Sequence, residues 1–115
     1  MVNKNLLLVI RSAVLGDGEP DLGEKLIHSL LTQLLESGKI PARVICMNSG
    51  VFLTTTAGSP ALEILKQFGQ AGTEIFSCAT CLQYYGRQDR LLVGAPGNMA
   101  DTVSAMLDFE KVLQI

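Results

Sequence analysis

Apolar residues alternate along this chain between two rhythms, one of strand type and one of helix type. Asn5-Leu-Leu-Leu-Val-Ile10 is a continuous apolar run of strand length, the pattern of a strand covered on both faces in a parallel sheet. Gly16-Asp-Gly-Glu-Pro20 breaks the chain, and Leu22, Leu26, Leu30, Leu31, Leu34 and Leu35 then recur at helical spacing. Asp21 is placed to cap this helix, which runs to about Ser37 and stops at Gly38. A second buried strand, Ala42-Arg-Val-Ile-Cys-Met47, ends in the turn-prone Asn48-Ser-Gly50. The β-branched residues 51–56 fit either a short strand or an extended lead-in. Ser59 and Pro60 form a cap and first-turn pair for a helix to about Gln70.

The alternation continues to the end of the chain. Gly72 precedes a third strand over residues 73–76, and the two cysteines of Ser77-Cys-Ala-Thr-Cys81 come directly after it. Residues 79–85 read as a short helix closed by Gly86, and Leu91-Leu-Val93 as a short fourth strand. Asn98 caps a last helix to about Leu107, and residues 111–115 form a fifth strand. Strands alternating with helices imply right-handed βαβ crossovers and parallel pairing. The expectation is one α/β domain over residues 1–115, a three-layer α/β/α sandwich of about five mostly parallel strands. Ligand sites in such sheets lie beyond the carboxyl ends of the strands. Here that means the loops at 12–20, 48–59, 77–80 and 94–98.

Composition sharpens the picture in one respect. Of 115 residues 48% are hydrophobic and only 17% charged, so both sheet faces must be covered, or apolar surface must be buried in a homo-oligomer. A net charge of -2 with nine scattered basic residues lacks the basic stripe that nucleic-acid binding needs. The run at 6–10 is too short for a secretory leader's core, and no stretch reaches membrane-span length. A cytoplasmic location without membrane association is expected.

The chemistry concentrates in the cysteines. Three are too few for a disulfide scaffold, which leaves free, catalytic or metal-bound thiols. Cys46, inside Val44-Ile-Cys-Met47, reads as inert core. Cys78 falls at a strand end where a helix begins, a position that favours the thiolate through backbone amides and the helix dipole. Thr80 adds a hydroxyl close by. The only histidine, His28, lies on a helix face with Glu24 and Thr32 and is expected in solvent, so Arg87 or Arg90 would have to supply any positive charge. Cys81, about one turn after Cys78, can resolve a mixed disulfide or share a proton with it. A single C-x-x-C offers only two of about four ligands for a structural zinc, so a metal would need a second subunit, and neither metal nor cofactor is expected. Asn48, Gly50, Gly97 and Asn98 are turn and capping residues that line a pocket because their loops do. Tyr84 and Tyr85 read as packing or interface residues, and Asp17, Glu19 and Asp21 as a surface loop.

The stretch Ser77-Cys-Ala-Thr-Cys-Leu-Gln-Tyr-Tyr-Gly86, with Leu91-Leu-Val-Gly-Ala-Pro-Gly-Asn-Met99 and Asn48-Ser-Gly-Val51, resembles the DsrE-like family of sulfur-relay proteins. Within it the likeness is nearest the C-terminal domain of the selenium-metabolism protein YedF. The resemblance covers nearly the whole chain. It implies that Cys78 is the active cysteine after the third strand and that Gly86 closes the helix behind it. Cys81 matches a second cysteine of the YedF branch. The implied role is a sulfurtransferase-like carrier of sulfur or selenium, held as a persulfide on Cys78 and passed to a partner thiol. The resemblance also implies donor and acceptor proteins as partners, and a homo-oligomer. Typical YedF also carries an N-terminal TusA-like domain with its own cysteine, which these residues do not include, so the resemblance leaves two arrangements open: a protein working alone, or one paired with a separate TusA-like carrier. Two other readings stay open: a dithiol redox protein cycling Cys78 and Cys81, and a non-enzymatic oligomeric binding module.

Overall fold

The computed structural model describes residues 2–115, and its elements track the alternation of the sequence. Strand β1 (Val2–Ile10) leads to helix α1 (Pro20–Glu36), then to β2 (Ile40–Cys46). A 3-10 turn (Asn48–Val51) runs straight into the short helix α2 (Phe52–Thr55), and α3 (Pro60–Gln70) and β3 (Glu74–Cys78) come next. Helix α4 (Ala79–Tyr84), β4 (Ala95–Gly97), α5 (Met99–Asp108) and β5 (Lys111–Gln114) complete the chain. The five strands form one sheet in the order β4-β3-β2-β1-β5, and every neighbouring pair is parallel.

The period-two alternation of strand side chains assigns the two faces. Leu8, Ile10, Val44, Cys46 and Ile75 pack with Ile27 and Leu31 of α1, with Ile64, Leu65 and Phe68 of α3, and with Leu82 of α4. Leu7, Val9 and Ile45 face the other way and meet Ala105 of α5. This is the expected three-layer sandwich, with unequal outer layers. Helices α1, α3 and α4 crowd one face; α5 alone covers the other, and turns Met99, Val103 and Leu107 outward. Among the described residues no helix is long and apolar enough to cross a membrane.

Four local expectations need correcting. The fourth strand is Ala95–Gly97, not residues 91–93. The Leu92 amide donates to the Thr54 carbonyl at 2.9 Å, so the apolar run crosses over α2 and packs on the core edge. Pairing with β3 begins only after Gly94, whose φ of +75° lets the backbone pass so close to the Ile75 carbonyl that a Cβ would collide with it. Residues 51–56 are mostly helical rather than extended. The Thr54 and Thr55 hydroxyls both donate to the Val51 carbonyl, at 3.0 and 2.8 Å, tying the β-branched run into a turn.

Helix α1 starts with Pro20 at its first position and Glu19 at the cap, which puts Asp21 in the first turn rather than at the cap. Its buried stripe is Gly23, Ile27 and Leu31, while Leu22 and Leu26 are exposed. Gly23 sets that rotation: a Cβ there would lie 2.8 Å from the Val14 Cβ, so the helix packs its glycine against the incoming loop. The third strand also runs two residues further than expected, to Cys78 itself.

Candidate functional site: two thiols at the end of β3

Two central strands end side by side. Cys46 of β2 pairs with Ser77 of β3, and Cys78 pairs with Gly97 of β4. Beyond Cys46 the chain bends at once. The Met47 amide donates to the Ile10 carbonyl at 2.9 Å and Gly50 presses onto the same carbonyl, where a Cβ would sit 2.5 Å from its oxygen. Glycine is thus required at 50 for close approach. The Ala13 amide donates to Ser49 Oγ at 3.1 Å and ties the turn to the loop after β1.

Beyond Cys78 the chain enters α4 without a loop, with Cys78 at the cap position (φ -58°, ψ 121°). Helix α4 closes as the sequence suggests. Gly86 takes φ +67°, and the Arg87 amide returns to the Leu82 carbonyl at 2.7 Å. Leu82 faces the core and is buried, which leaves Cys81 on the side facing the β2 turn, only partly covered.

There Cys81 meets Asn48. The Asn48 backbone N–H donates to Cys81 Sγ at 3.1 Å. Asn48 takes φ +50°, the one non-glycine residue among those described with a left-handed backbone. Asparagine tolerates that region better than most residues. Its side chain helps hold it there: Oδ1 accepts from the Ser49 amide at 2.9 Å and from the Tyr85 hydroxyl at 3.2 Å. The Tyr85 ring packs on Phe52 with centroids 4.6 Å apart. Arg87 lies 4.6 Å over the other partner of that stack, the Phe52 ring, and donates to the Thr55 carbonyl at 3.2 Å. Arg87 is therefore committed to bracing α2 and not to activating a cysteine.

Burial acts on two of the thiols. Burial pushes the Cys46 thiol from 9.0 up to about 12. The Cys81 thiol is also raised, first by burial and then by its neighbour Cys78, through hydrogen bonding and charge; the Asn48 N–H acts in the opposite direction. Two sulfurs so placed carry one negative charge between them far more readily than two.

Asn48, Thr80, Cys81, Tyr84 and Tyr85 line an open recess of ≈ 370 Å³. Cys78, a neighbour of Cys81, does not line it and is 9% exposed. The structure therefore brings Cys78, Cys81, Asn48 and Thr80 together, with Gly50 as the spacer beneath the turn. Gly97 stands beside Cys78 in the sheet. Asn98 caps α5, its Oδ1 accepting the Asp101 amide at 2.8 Å. Gly97 and Asn98 line a separate hollow of ≈ 290 Å³ with Arg43 and Phe76 on the α5 side. A roomier recess of ≈ 440 Å³ between α1, α2 and α3 includes His28, which is exposed, and no thiol.

Tyr85 packs as expected, on Phe52, and in addition bonds to Asn48. Its spacing of four from Cys81 on a short helix was the available signal for that bond. Among the described residues no three His, Cys, Asp or Glu side chains are grouped to hold a metal ion.

No family model matches the chain, and no curated protein matches it. Solved structures do. The YchN protein of E. coli superposes with a TM-score of 0.67 at 21% identity, over 98% of this chain and 100% of that one. A conserved protein of unknown function from Bacteroides thetaiotaomicron gives 0.66 at 16% identity, over 96% and 95%. At these identities the likeness concerns the fold alone: the chain shares the five-stranded parallel α/β fold of these proteins, and no sequence match singles out the DsrE-like family or its YedF branch.

Proposed function

We propose that this protein is a sulfur-relay carrier that holds a persulfide on Cys78 and passes its outer sulfur to a thiol of another protein. The observation that carries this reading is the pairing of two thiols at the carboxyl end of β3, one partly exposed beside a fixed backbone donor. A persulfide needs an anchoring thiol sheltered from solvent and a route for a second thiol to reach the outer sulfur. Cys78, nearly buried beside Cys81, fits the first requirement, and the open recess that Cys81 lines fits the second. Donor and acceptor are thiol-bearing proteins of the cytoplasm, a TusA-like carrier among them.

A dithiol redox role, with Cys78 and Cys81 closing and opening a disulfide, is the second reading, favoured by the C-x-x-C spacing that brings the two free thiols together. Intact-mass measurement separates the two. After exposure to inorganic polysulfide, the wild type should gain one sulfur atom, removable by reductant and located on Cys78. A Cys78→Ser/Cys81→Ser double variant should gain none. A double variant that still acquired labile sulfur would sink the proposal, and a bare Cys78–Cys81 disulfide in the wild type would favour redox cycling.

A further inference from the structure

The two cysteines differ in access, and that difference assigns them separate tasks. Cys81 lines the recess; Cys78 is 9% exposed and does not line it. Cys81 is therefore the thiol of the pair that a folded partner meets at the recess, with Cys78 as its hydrogen-bonded neighbour. Resting on the sulfur-carrier reading, we propose that Cys81 is the exchange thiol, meeting the persulfides and thiols of macromolecular partners, while Cys78 is the store behind it.

The Asn48 arm supports this division. Its N–H points at Cys81 Sγ from a left-handed backbone conformation that few non-glycine residues adopt. Bonds from Ser49 N and Tyr85 Oη to Asn48 Oδ1 help hold it there. The result is a fixed donor that steadies negative charge on Cys81 whenever it attacks or leaves. Exposed Tyr84 on the rim of the recess offers an apolar landing surface.

The chemistry balances without an oxidant. The Cys81 thiolate attacks the outer sulfur of a partner persulfide, R–S–SH. The S–S bond of the partner breaks, R–S⁻ departs, and Cys81–S–SH forms. The Cys78 thiolate then attacks that same outer sulfur, giving Cys78–S–SH and returning Cys81 as the thiolate. Delivery reverses both steps, with the acceptor thiolate taking the sulfur from Cys81. Each step exchanges one S–S bond for another and moves one neutral sulfur. The Asn48 N–H faces Cys81 Sγ at 3.1 Å, where charge develops as that sulfur attacks or leaves.

The test compares a bulky with a small donor. Persulfidated serum albumin serves as the first and inorganic polysulfide as the second, with sulfur located on Cys78 or Cys81 by fragmentation of the intact protein. Cys81→Ser should charge Cys78 from albumin persulfide at least about tenfold more slowly than wild type, yet within about threefold of wild type from polysulfide. Cys78→Ser should take sulfur on Cys81 from either donor and lose it to added thiol at least about tenfold faster than the wild type does. On the unmodified protein, a bulky maleimide should label Cys81 before Cys78. Equal charging of Cys81→Ser and wild type by albumin persulfide would overturn the exchange role and leave the carrier reading standing. So would first labelling of Cys78, whereas a Cys78–Cys81 disulfide formed with release of sulfide, the product of attack on the inner sulfur, would overturn the exchange role and the carrier reading together. A wild type that takes sulfur from neither donor overturns the carrier reading and the exchange role with it.

Discussion

Cys46 and Cys78 end neighbouring strands of the same sheet, one register step apart, yet they sit in opposite chemical worlds. After Cys46 the chain folds back through the Asn48–Val51 turn, and Val51 is buried in the same cluster as the thiol. After Cys78 it climbs directly into α4, whose next cysteine looks across at that turn and onto an open recess. The end of a strand is therefore not enough to make a thiol available. The direction of the next segment decides it: a turn that doubles back seals the sulfur, and a helix that leaves the sheet opens a mouth beside it.

The largest expected effect lies on the sealed side. The unfolded Cys46 thiol ionises near 9.0, while the folded one keeps its proton to about 12. The unfolded state thus loses the proton first, and deprotonation favours unfolding. Stability from this group is complete below about pH 9 and is lost as pH rises toward 12, by at most about 1.4 kcal/mol per pH unit, or ~4 kcal/mol across the window. Urea unfolding of wild type and Cys46→Ala at about pH 8 and about pH 10.5 checks this. The wild type should lose more stability between the two conditions than the variant. Equal losses would mean that the sealed thiol ionises freely and that the contrast with Cys78 is one of position only.

A smaller effect tests the turn that does the sealing. Gly50→Ala places a Cβ against the Ile10 carbonyl, a backbone atom that cannot swing away, and should cost about 1–3 kcal/mol. The turn must lift, and the Asn48 N–H should withdraw from Cys81 with it. Gly97→Ala, on the other flank of Cys78, meets the Phe76 Cβ at 3.2 Å and should cost about 1 kcal/mol or less, because that contact can give by a few tenths of an ångström. Urea unfolding ranks the two, and a larger loss at 97 would place the rigid wall of the site on the β4 side.

Much of this was legible in the sequence because it depended on periodicity and on single strong residues. The apolar run of β1, the helix α3 begun by Pro60, the α4 closure at Gly86 and the Asn98 cap each arise from local chemistry. The misplaced elements share a cause. Leu91-Leu-Val93 has the composition of a strand, but Gly94 decides where pairing with β3 begins, through a close approach no local pattern reveals. Leu22 and Leu26 keep helical spacing with the buried leucines, yet Gly23 rotates the packed stripe by one position. At the site, the closeness of Cys78 and Cys81 was readable from their spacing. Arg87 was an expected activator, but the ring of Phe52 and the carbonyl of Thr55, more than thirty residues earlier, hold it elsewhere. The Asn48 contact is equally nonlocal, spanning thirty-three positions, and only the pairing of β2 with β3 creates it.

The smallest effect probes the open side most finely. Tyr85→Phe removes one hydroxyl, keeps the ring against Phe52, and should change stability by less than about 0.5 kcal/mol. Asn48 Oδ1 then retains only the Ser49 amide, and the left-handed residue that aims its N–H at Cys81 is held less firmly. That N–H is the one influence lowering the Cys81 pKa, against burial and the Cys78 thiol, which raise it. The loosened variant should therefore ionise Cys81 at higher pH, and iodoacetamide should alkylate it about two- to threefold more slowly at pH ~8. Arg87, committed to Thr55, is not placed to compensate. The measurement is a pH profile of Cys81 alkylation in a Cys46→Ala/Cys78→Ala background, with and without Tyr85→Phe. Superimposable profiles would mean that the Ser49 amide alone fixes Asn48. A shift to higher pH would show that a tyrosine one helical turn away sets the reactivity of the exposed thiol, a control for which the sealed Cys46 has no counterpart.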